Sequence, residues 1–221
     1  MTLQELIDQF RTDSDDSVSP YLSSDEDVTL WLNEAEEEAA LRANLIHDSS
    51  TTAVCTIAVT AAVSVYPLHE AVFSITNAYF TATGSTDVLT LDLTDRIEQD
   101  RLSSDWRTRS ELPSSLIVED TKVRLTCLPS VAGTLAIECY RAPLNKIASL
   151  AASPEIGRAH HRHLVQWALH RCYSRPDAQI HDPDMAAKAE AEFTRVFGLR
   201  PDADLRRSFH ANRPMFNKAV W

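Results

Sequence analysis

The sequence predicts an α+β protein: a helical bundle of about four helices, interrupted by an inserted small antiparallel β sandwich or barrel and followed by an extended C-terminal arm. Three observations predict it. Apolar residues recur with a period near 3.6 in residues 1–49 and 143–198, the period switches to 2 across 50–142, and both patterns stop in 199–221. The domain organisation follows as a bundle (1–49 with 143–198), a β insert (50–142) and an arm (199–221). A chain of 221 residues, 44% hydrophobic and 24% charged, is long enough and apolar enough to bury real cores. Glycine is scarce at four residues, which excludes glycine-rich phosphate loops and flexible linkers.

The first helix is signalled by the capping-box spacing of Thr2 and Glu5 and by Leu3, Leu6, Ile7 and Phe10 at i, i+3, i+4, i+7. A polar break from Thr12 to Pro20 ends it. Ser24 opens the second helix, with Asp25, Glu26 and Asp27 in the first turn where the helix dipole favours anions. Val28, Trp31, Leu32, Ala35, Ala39 and Ile46 form one stripe, which predicts a helix to His47. Glu34, Glu37 and Glu38 lie opposite, with Glu36 near the edge.

Residues 51–60 alternate, with Ala53, Cys55, Ile57 and Val59 on one face, and read as a strand. Val63 to Val65, Val72 to Phe80, Lys122 to Cys127 and Leu135 to Tyr140 continue the pattern, for five to seven short strands. Thr94 to Pro113 is a long polar connection with room for a helical turn. Ser153-Pro154-Glu155 has the form of an N-cap followed by proline at the first helical position. The helix it predicts carries Leu164, Trp167, Ala168 and Cys172 on one face and ends near Tyr173. Asp182-Pro183-Asp184 opens the last helix in the same way. Its stripe is Ala186, Ala189, Phe193, Val196 and Phe197, with Gly198 as the stop.

The net charge of −11 is unevenly spread. Residues 1–49 hold 13 acids and 2 bases, whereas 199–221 hold 2 acids and 5 bases. An acidic body argues against a general nucleic-acid binder, whose affinity comes from phosphate neutralisation, though not against a surface that DNA must pass without sticking. The first residues have neither the basic start nor the apolar stretch of a signal peptide, and no apolar run reaches the ~18 residues that would cross a membrane. Cys55, Cys127, Cys139 and Cys172 lack C-x-x-C spacing and read as reduced, buried thiols.

Chemistry-bearing constellations are weak. His160 and His163 are one helical turn apart, but Leu164 and Trp167 hold the i+4 positions and supply no third ligand. His163 and His170 are two turns apart, about 10 Å, too far for one ion. These histidines read as helix-surface or interface residues. Asp13, Asp15 and Asp16 would need Gly at Val18 and Glu at Ser24 to make an EF-hand, so they read as solvated loop acids or caps. No G-x-S-x-G elbow is present, and the expectation is no enzyme, no cofactor and no metal. The arm is more informative. Phe209, Met215, Phe216 and Trp221 alternate with Arg206, Arg207, Arg213 and Lys218, a composition that interface hot spots use. Its 23 residues reach roughly 76 Å when extended.

These features carry a resemblance to the head–tail adaptor (connector) proteins of tailed bacteriophages. It rests on Pro20-Tyr21-Leu22 before Ser24-Asp25-Glu26, on Trp31-Leu32-Asn33-Glu34-Ala35 with Glu38-Ala39, and on Arg141-Ala142-Pro143-Leu144. It continues through His163-Leu164-Val165-Gln166-Trp167-Ala168-Leu169, Tyr173-Ser174-Arg175-Pro176-Asp177-Ala178 and Phe193 to Gly198. Within the insert, Trp106-Arg107, Leu112-Pro113, Leu128-Pro129 and Gly133-Thr134-Leu135 belong to it as well. The resemblance implies a structural virion protein, assembled in the host cytoplasm into a ring of usually twelve copies beneath the portal. Its C-terminal segment would dock on the portal protein. The ring would extend the DNA channel and offer a platform for a downstream tail or nozzle protein, with no substrate, cofactor or membrane. In that frame the portal-docking residues are Arg206, Arg207, Phe209, Arg213, Met215, Phe216 and Trp221, and Glu34, Glu37 and Glu38 form an acidic face toward DNA. The alternative is a tail-side or receptor-contacting virion module that binds through its β insert.

Overall fold

The computed structural model describes residues 1–176 and 180–202 and divides into two compact units. The first joins Met1–Ile46 to Arg141–Arg200, and the second is built on His47–Tyr140.

The helical unit begins with α1 (Leu3–Asp13), whose capping box between Thr2 and Glu5 is formed as the spacing predicts. Leu3, Leu6, Ile7 and Phe10 are buried on its inner face. The next helix, α2 (Asp25–Ala43), is capped by the Ser24 hydroxyl, which accepts from the Asp27 amide. It stops four residues before the expected His47, because Asn44 takes the left-handed conformation (φ 49°) that ends helices. Ile46 is buried, as its place in the stripe suggested, but lies beyond the helix.

A second boundary also differs. No helix opens at Ser153-Pro154-Glu155: a 3₁₀ turn at Arg158–His160 leads instead into α5 (His161–Tyr173), two helices of the second unit having intervened. The amides of Glu155 and Ile156 are held by the Glu36 carboxylate, so they are not the free donors of a helix start. The last helix, α6 (Pro183–Phe197), follows its signals closely. Asp182 accepts from the Asp184 and Met185 amides, Pro183 is the first helical residue and Gly198 is the C-cap. Ala186, Ala189, Phe193 and Phe197 are buried, and Val196 is half-buried.

The second unit holds β1 (His47–Asp48), α3 (Thr52–Cys55), β2 (Thr56–Val59), β3 (Val65–Pro67), β4 (Val72–Ala82), β5 (Val88–Thr94), α4 (Arg96–Leu102) and β6 (Ser110–Glu111). It ends with β7 (Ser115–Val118), β8 (Lys122–Leu125), β9 (Leu128–Pro129) and β10 (Gly133–Arg141). The expected strand over 51–60 is half helix. Asp48 Oδ1 accepts from the amides of Ser50 and Thr51 at 3.0 Å, turning the chain into one helical turn that buries the adjacent Val54 and Cys55. Consecutive burial of that kind cannot come from a period of 2.

The sheet runs β1-β10-β4-β5-β7-β8-β3, with β2 also on β10, and it curls into a half-barrel. It is mixed rather than purely antiparallel. β5 and β7 are parallel (Asp92↔Ser115, Leu93↔Leu116), as are β6 and β9 in a separate two-stranded sheet. Parallel neighbours need a long crossover, and the 95–114 connection containing α4 supplies it. Phe80, Leu116, Val123, Leu125, Leu135 and Cys139 lie at the centre of the core. All four cysteines are buried and none forms a disulfide, as expected, and burial pushes the Cys127 thiol up to about 11. Among the described residues, no helix is long and apolar enough to cross a membrane.

Gly133 begins β10 close against the end of β4: a Cβ there would stand 2.4 Å from the Thr81 carbonyl oxygen and 2.6 Å from the Phe80 ring. Backbone cannot yield as a flexible side chain can. Gly133→Ala is therefore expected to destabilise the protein by about 1–3 kcal/mol, read as a lower urea midpoint at unchanged slope. A midpoint equal to that of the parent would show that Phe80 and Thr81 can move apart without cost.

Candidate functional site

The central element of the helical unit is α2, and its polar side chains face inward as well as outward. Asn33 is buried, and its Oδ1 accepts from the Ile147 amide at 2.7 Å while Nδ2 donates to the Ile147 carbonyl at 3.1 Å. One turn on, Glu36 is 1% exposed, and its Oε1 accepts from the Glu155 and Ile156 amides. Glu155 continues the chain of contacts, pairing with Arg141 at 2.6 Å and accepting from the Leu144 amide at 3.1 Å. The irregular segment between Arg141 and α5 is thus fastened to α2 by hydrogen bonds. Burial pushes the Glu36 carboxyl above its usual 4.5, against the opposing pull of the two backbone donors.

The sequence places Glu36 beside an outward acidic face, whereas it is the most buried acid of the segment. Glu34, Glu37 and Glu38 also differ among themselves. Glu37 is exposed. Glu34 is half-buried and pairs with Arg171 of α5 at 3.0 Å. Glu38 is 8% exposed, and its Oε1 accepts from Arg42 Nε at 2.8 Å. The exposed stripe of α2 is Glu26, Leu30 and Glu37, with Glu34 at its margin.

Arg42 joins α2 to the end of α6. Its guanidinium lies over the rings of Trp167 and Phe193, 5.3 and 5.2 Å from their centroids, and Nη1 donates to Thr194 Oγ1 at 3.0 Å and to the Gly198 carbonyl at 3.3 Å. Arg200 Nε stands 3.7 Å from the same Glu38 oxygen. The expected docking residues Arg206, Arg207, Phe209, Arg213, Met215, Phe216 and Trp221 lie outside the described residues.

A second buried cation, Arg11, organises the connection between α1 and α2. It pairs with Asp16 at 2.5 Å and Asp25 at 2.6 Å, and Tyr21 packs over it with its ring centroid 4.0 Å away. Asp16 also accepts from the amides of Leu22 and Ser23. It is therefore a buried anchor, not the solvated loop acid its sequence context suggests. Both missed centres carried a common signal: Arg11 and Arg42 are the only bases among 13 acids in residues 1–49. The Glu38/Arg42 pair also has i, i+4 spacing.

The histidines serve packing. His160 and His163 face Phe197, with ring centroids 5.7 and 6.4 Å away, and His170 Nδ1 lies 3.0 Å from the Ala186 carbonyl. His161, which the pattern gives no reason to bury, is 4% exposed, with Nε2 2.9 Å from the Ile156 carbonyl. Among the described residues, no group of three or more His, Cys, Asp or Glu could hold a metal ion. In the second unit, exposed ion pairs gather at and just after α4. Arg107 and the Trp106 indole hold the Asp100 carboxyl down at about 2, and Arg109 with Ser103 does the same for Asp105. These pairs brace α4, none of whose residues is buried and which leaves Ile97 78% and Leu102 69% exposed.

The class these features define is a helical bundle with a β insert, held by internal polar fastenings and carrying exposed acidic, apolar and basic surface. The chain belongs to the SU10 adaptor protein family, whose model matches residues 1–215, and it is thereby a phage adaptor protein of the kind its head–tail resemblance implied. No curated protein matches it.

The state of Glu36 generates a pH-dependent prediction. A carboxyl whose folded pKa lies above its unfolded value contributes stability that is fully present below about pH 4.5 and lost as pH rises through the folded pKa. Glu36→Gln keeps an acceptor for the two amides without that charge. Urea unfolding from pH 4 to pH 7 is expected to show the wild type losing stability relative to Glu36→Gln. A constant difference across that range would mean that burial does not oppose the charge. Glu36→Ala strands both amides and is expected to cost about 2–4 kcal/mol.

Proposed function

We propose that this chain assembles as a ring, of about twelve copies, between the portal protein and the downstream tail or nozzle protein of a phage particle. The observation that carries the reading is the family match over residues 1–215, which spans the bundle, the insert and most of the arm. The basic, aromatic segment 199–221 is the portal contact, through Arg206, Arg207, Phe209, Arg213, Met215, Phe216 and Trp221. Alternating arginine and aromatic side chains suit a segment that gains order on docking.

The α2 surface supports a role beside DNA. Glu37 and Glu34 form the outward part of the proposed channel face, with Glu38 behind them holding Arg42. Repeated around a ring, a net charge of −11 per chain amounts to about −130, a like-charge field in which phosphates find few cations to bind. Ring closure requires a heterologous interface, one face of the chain meeting a different face of the next.

Native mass spectrometry of the chain co-expressed with the portal protein of the same genome tests this. A portal ring that gains about 296 kDa, twelve chains of 24.7 kDa, is the expected result. An intact portal ring with no added mass would overturn the portal assignment. Deleting 199–221 is expected to abolish the association while leaving circular dichroism and solubility of the body unchanged. A second reading, a virion module that binds a tail or cell-surface partner through its β insert, is favoured by one observation, the bare Ile97 and Leu102 of α4. Under that reading Ile97→Asp weakens partner binding and the arm deletion does not.

A further inference from the structure

Where α6 ends, the chain must leave the bundle, and the contacts at that point are polar. Gly198 takes φ 83° and ψ 177°, a conformation that other residues rarely adopt, and its amide still donates to the Thr194 carbonyl at 2.8 Å. Its own carbonyl is one of the last acceptors of the helix and receives Arg42 Nη1 at 3.3 Å. Two residues on, Arg200 Nε stands 3.7 Å from Glu38 Oε1, the same oxygen that accepts from Arg42 Nε at 2.8 Å. Between these two attachments Leu199 is 81% exposed, so burial of the intervening side chain does not hold the segment.

We propose that Glu38 and Arg42 of α2 form a clamp on Gly198 and Arg200 that sets the direction in which the C-terminal segment leaves the bundle, making these two side chains positioning residues for the docking arm. The inference rests on the adaptor reading only for what the arm meets. The geometry separates the parts. The Arg42 side chain is 5% exposed and packs over the adjacent Trp167 and Phe193 rings, so it is the fixed member. Glu38 is the relay: one carboxylate oxygen faces both guanidinium groups, binding Arg42 within its own helix and reaching Arg200 outside it. The Arg200 side chain is 64% exposed and is the releasable member. Without Glu38 the arm root keeps its covalent path but loses the attachment that restricts Arg200. Each docking event then has to order more chain, which lowers affinity without touching the docking residues. The role also explains an acid buried at the back of an otherwise acidic surface: its charge is committed to two arginines and adds little to the outward field.

The test uses the full chain. Spin labels at Lys188→Cys, on the exposed side of α6, and at Leu199→Cys, 81% exposed between the two attachments, report the order of the arm root, the four native thiols being buried. In the parent a narrow distance distribution is expected. Glu38→Gln and Arg200→Gln broaden it, and Arg200→Lys, which keeps a cation facing Glu38, restores most of the narrow component. The surface substitution at Arg200 guards against misfolding, and an unchanged melting temperature confirms it. Affinity for the portal ring falls about three- to tenfold in Arg200→Gln and recovers in Arg200→Lys. Identical distance distributions in parent and Gln variants would overturn the clamp. A broadened distribution with unchanged portal affinity would overturn its positioning role. A parent chain that binds no portal ring overturns the adaptor reading instead, and the distance distributions alone then decide whether the clamp sets the arm's direction.

Discussion

The helical unit depends on how α2 treats backbone polarity. A helix surrounded by protein normally presents apolar side chains all round, and α2 buries Val28, Trp31, Leu32, Ala35 and Ala39 in that manner. It must also face an irregular segment, from Arg141 to the start of α5, whose amides and carbonyls have no ladder to join. A buried, unpaired backbone group costs about 1–3 kcal/mol, so such a segment can approach the core only if side chains answer it. Asn33 answers Ile147 on both its donor and its acceptor, and Glu36 answers two successive amides. The cost is visible in the raised pKa of Glu36, where burial disfavours the charge that the two amide donors favour. Remove that arrangement and the segment that connects the β unit back to α5 has no reason to lie against α2.

The β unit solves a different problem with the same economy of means. Its parallel β5–β7 pair requires the chain to leave the sheet and return in the same direction, and the excursion carries α4 out into solvent. With nothing buried, α4 has no packing to define it. The Asp95 side chain caps its N-terminus, and Arg96 pairs with Glu119 while Asp100 receives Trp106 and Arg107. Exposed ion pairs are individually weak, but together they fix where a short helix stands. A helix so fixed, with two large apolar side chains bare, is what a partner-binding feature of the insert would look like.

Much of the fold was legible in the sequence because its signals are local. The Thr2/Glu5 capping box, the Ser24 cap and the Asp182-Pro183 opening each involve residues within a turn of one another, and each formed as the pattern predicts. The errors share the opposite property. Ser153-Pro154-Glu155 is a sound helix start until Glu36, more than a hundred residues earlier, takes the amides of Glu155 and Ile156. Residues 52–55 alternate well enough for a strand until Asp48 turns the chain into a helix. Strand direction is likewise non-local: Leu93 has no local feature that says it will lie beside Leu116 in parallel. The acidic face was legible as composition but not as geometry, because periodicity ranks Glu34, Glu36, Glu37 and Glu38 by angle alone and cannot see that Arg42 and the loop amides draw two of them inward.

That sorting of charges has a consequence for how the surface acts. Residues 1–49 hold only two bases, and the side chains of both are buried in ion pairs, Arg11 with Asp16 and Asp25, Arg42 with Glu38. Neither is free to neutralise the outer surface of its own segment. The cations that do reach it, Arg171 on Glu34 and Arg175 on Asp27, come from α5 and the residues just after it, and they leave Glu26 and Glu37 outward. In the proposed channel role this surface would disfavour polyanions, since the two arginines that could have offered a phosphate a partner are turned into the core. Under the same proposal the alternating arginines and aromatic side chains of the arm would serve a protein contact, while α1 and α2 offer no outward cation to a DNA site.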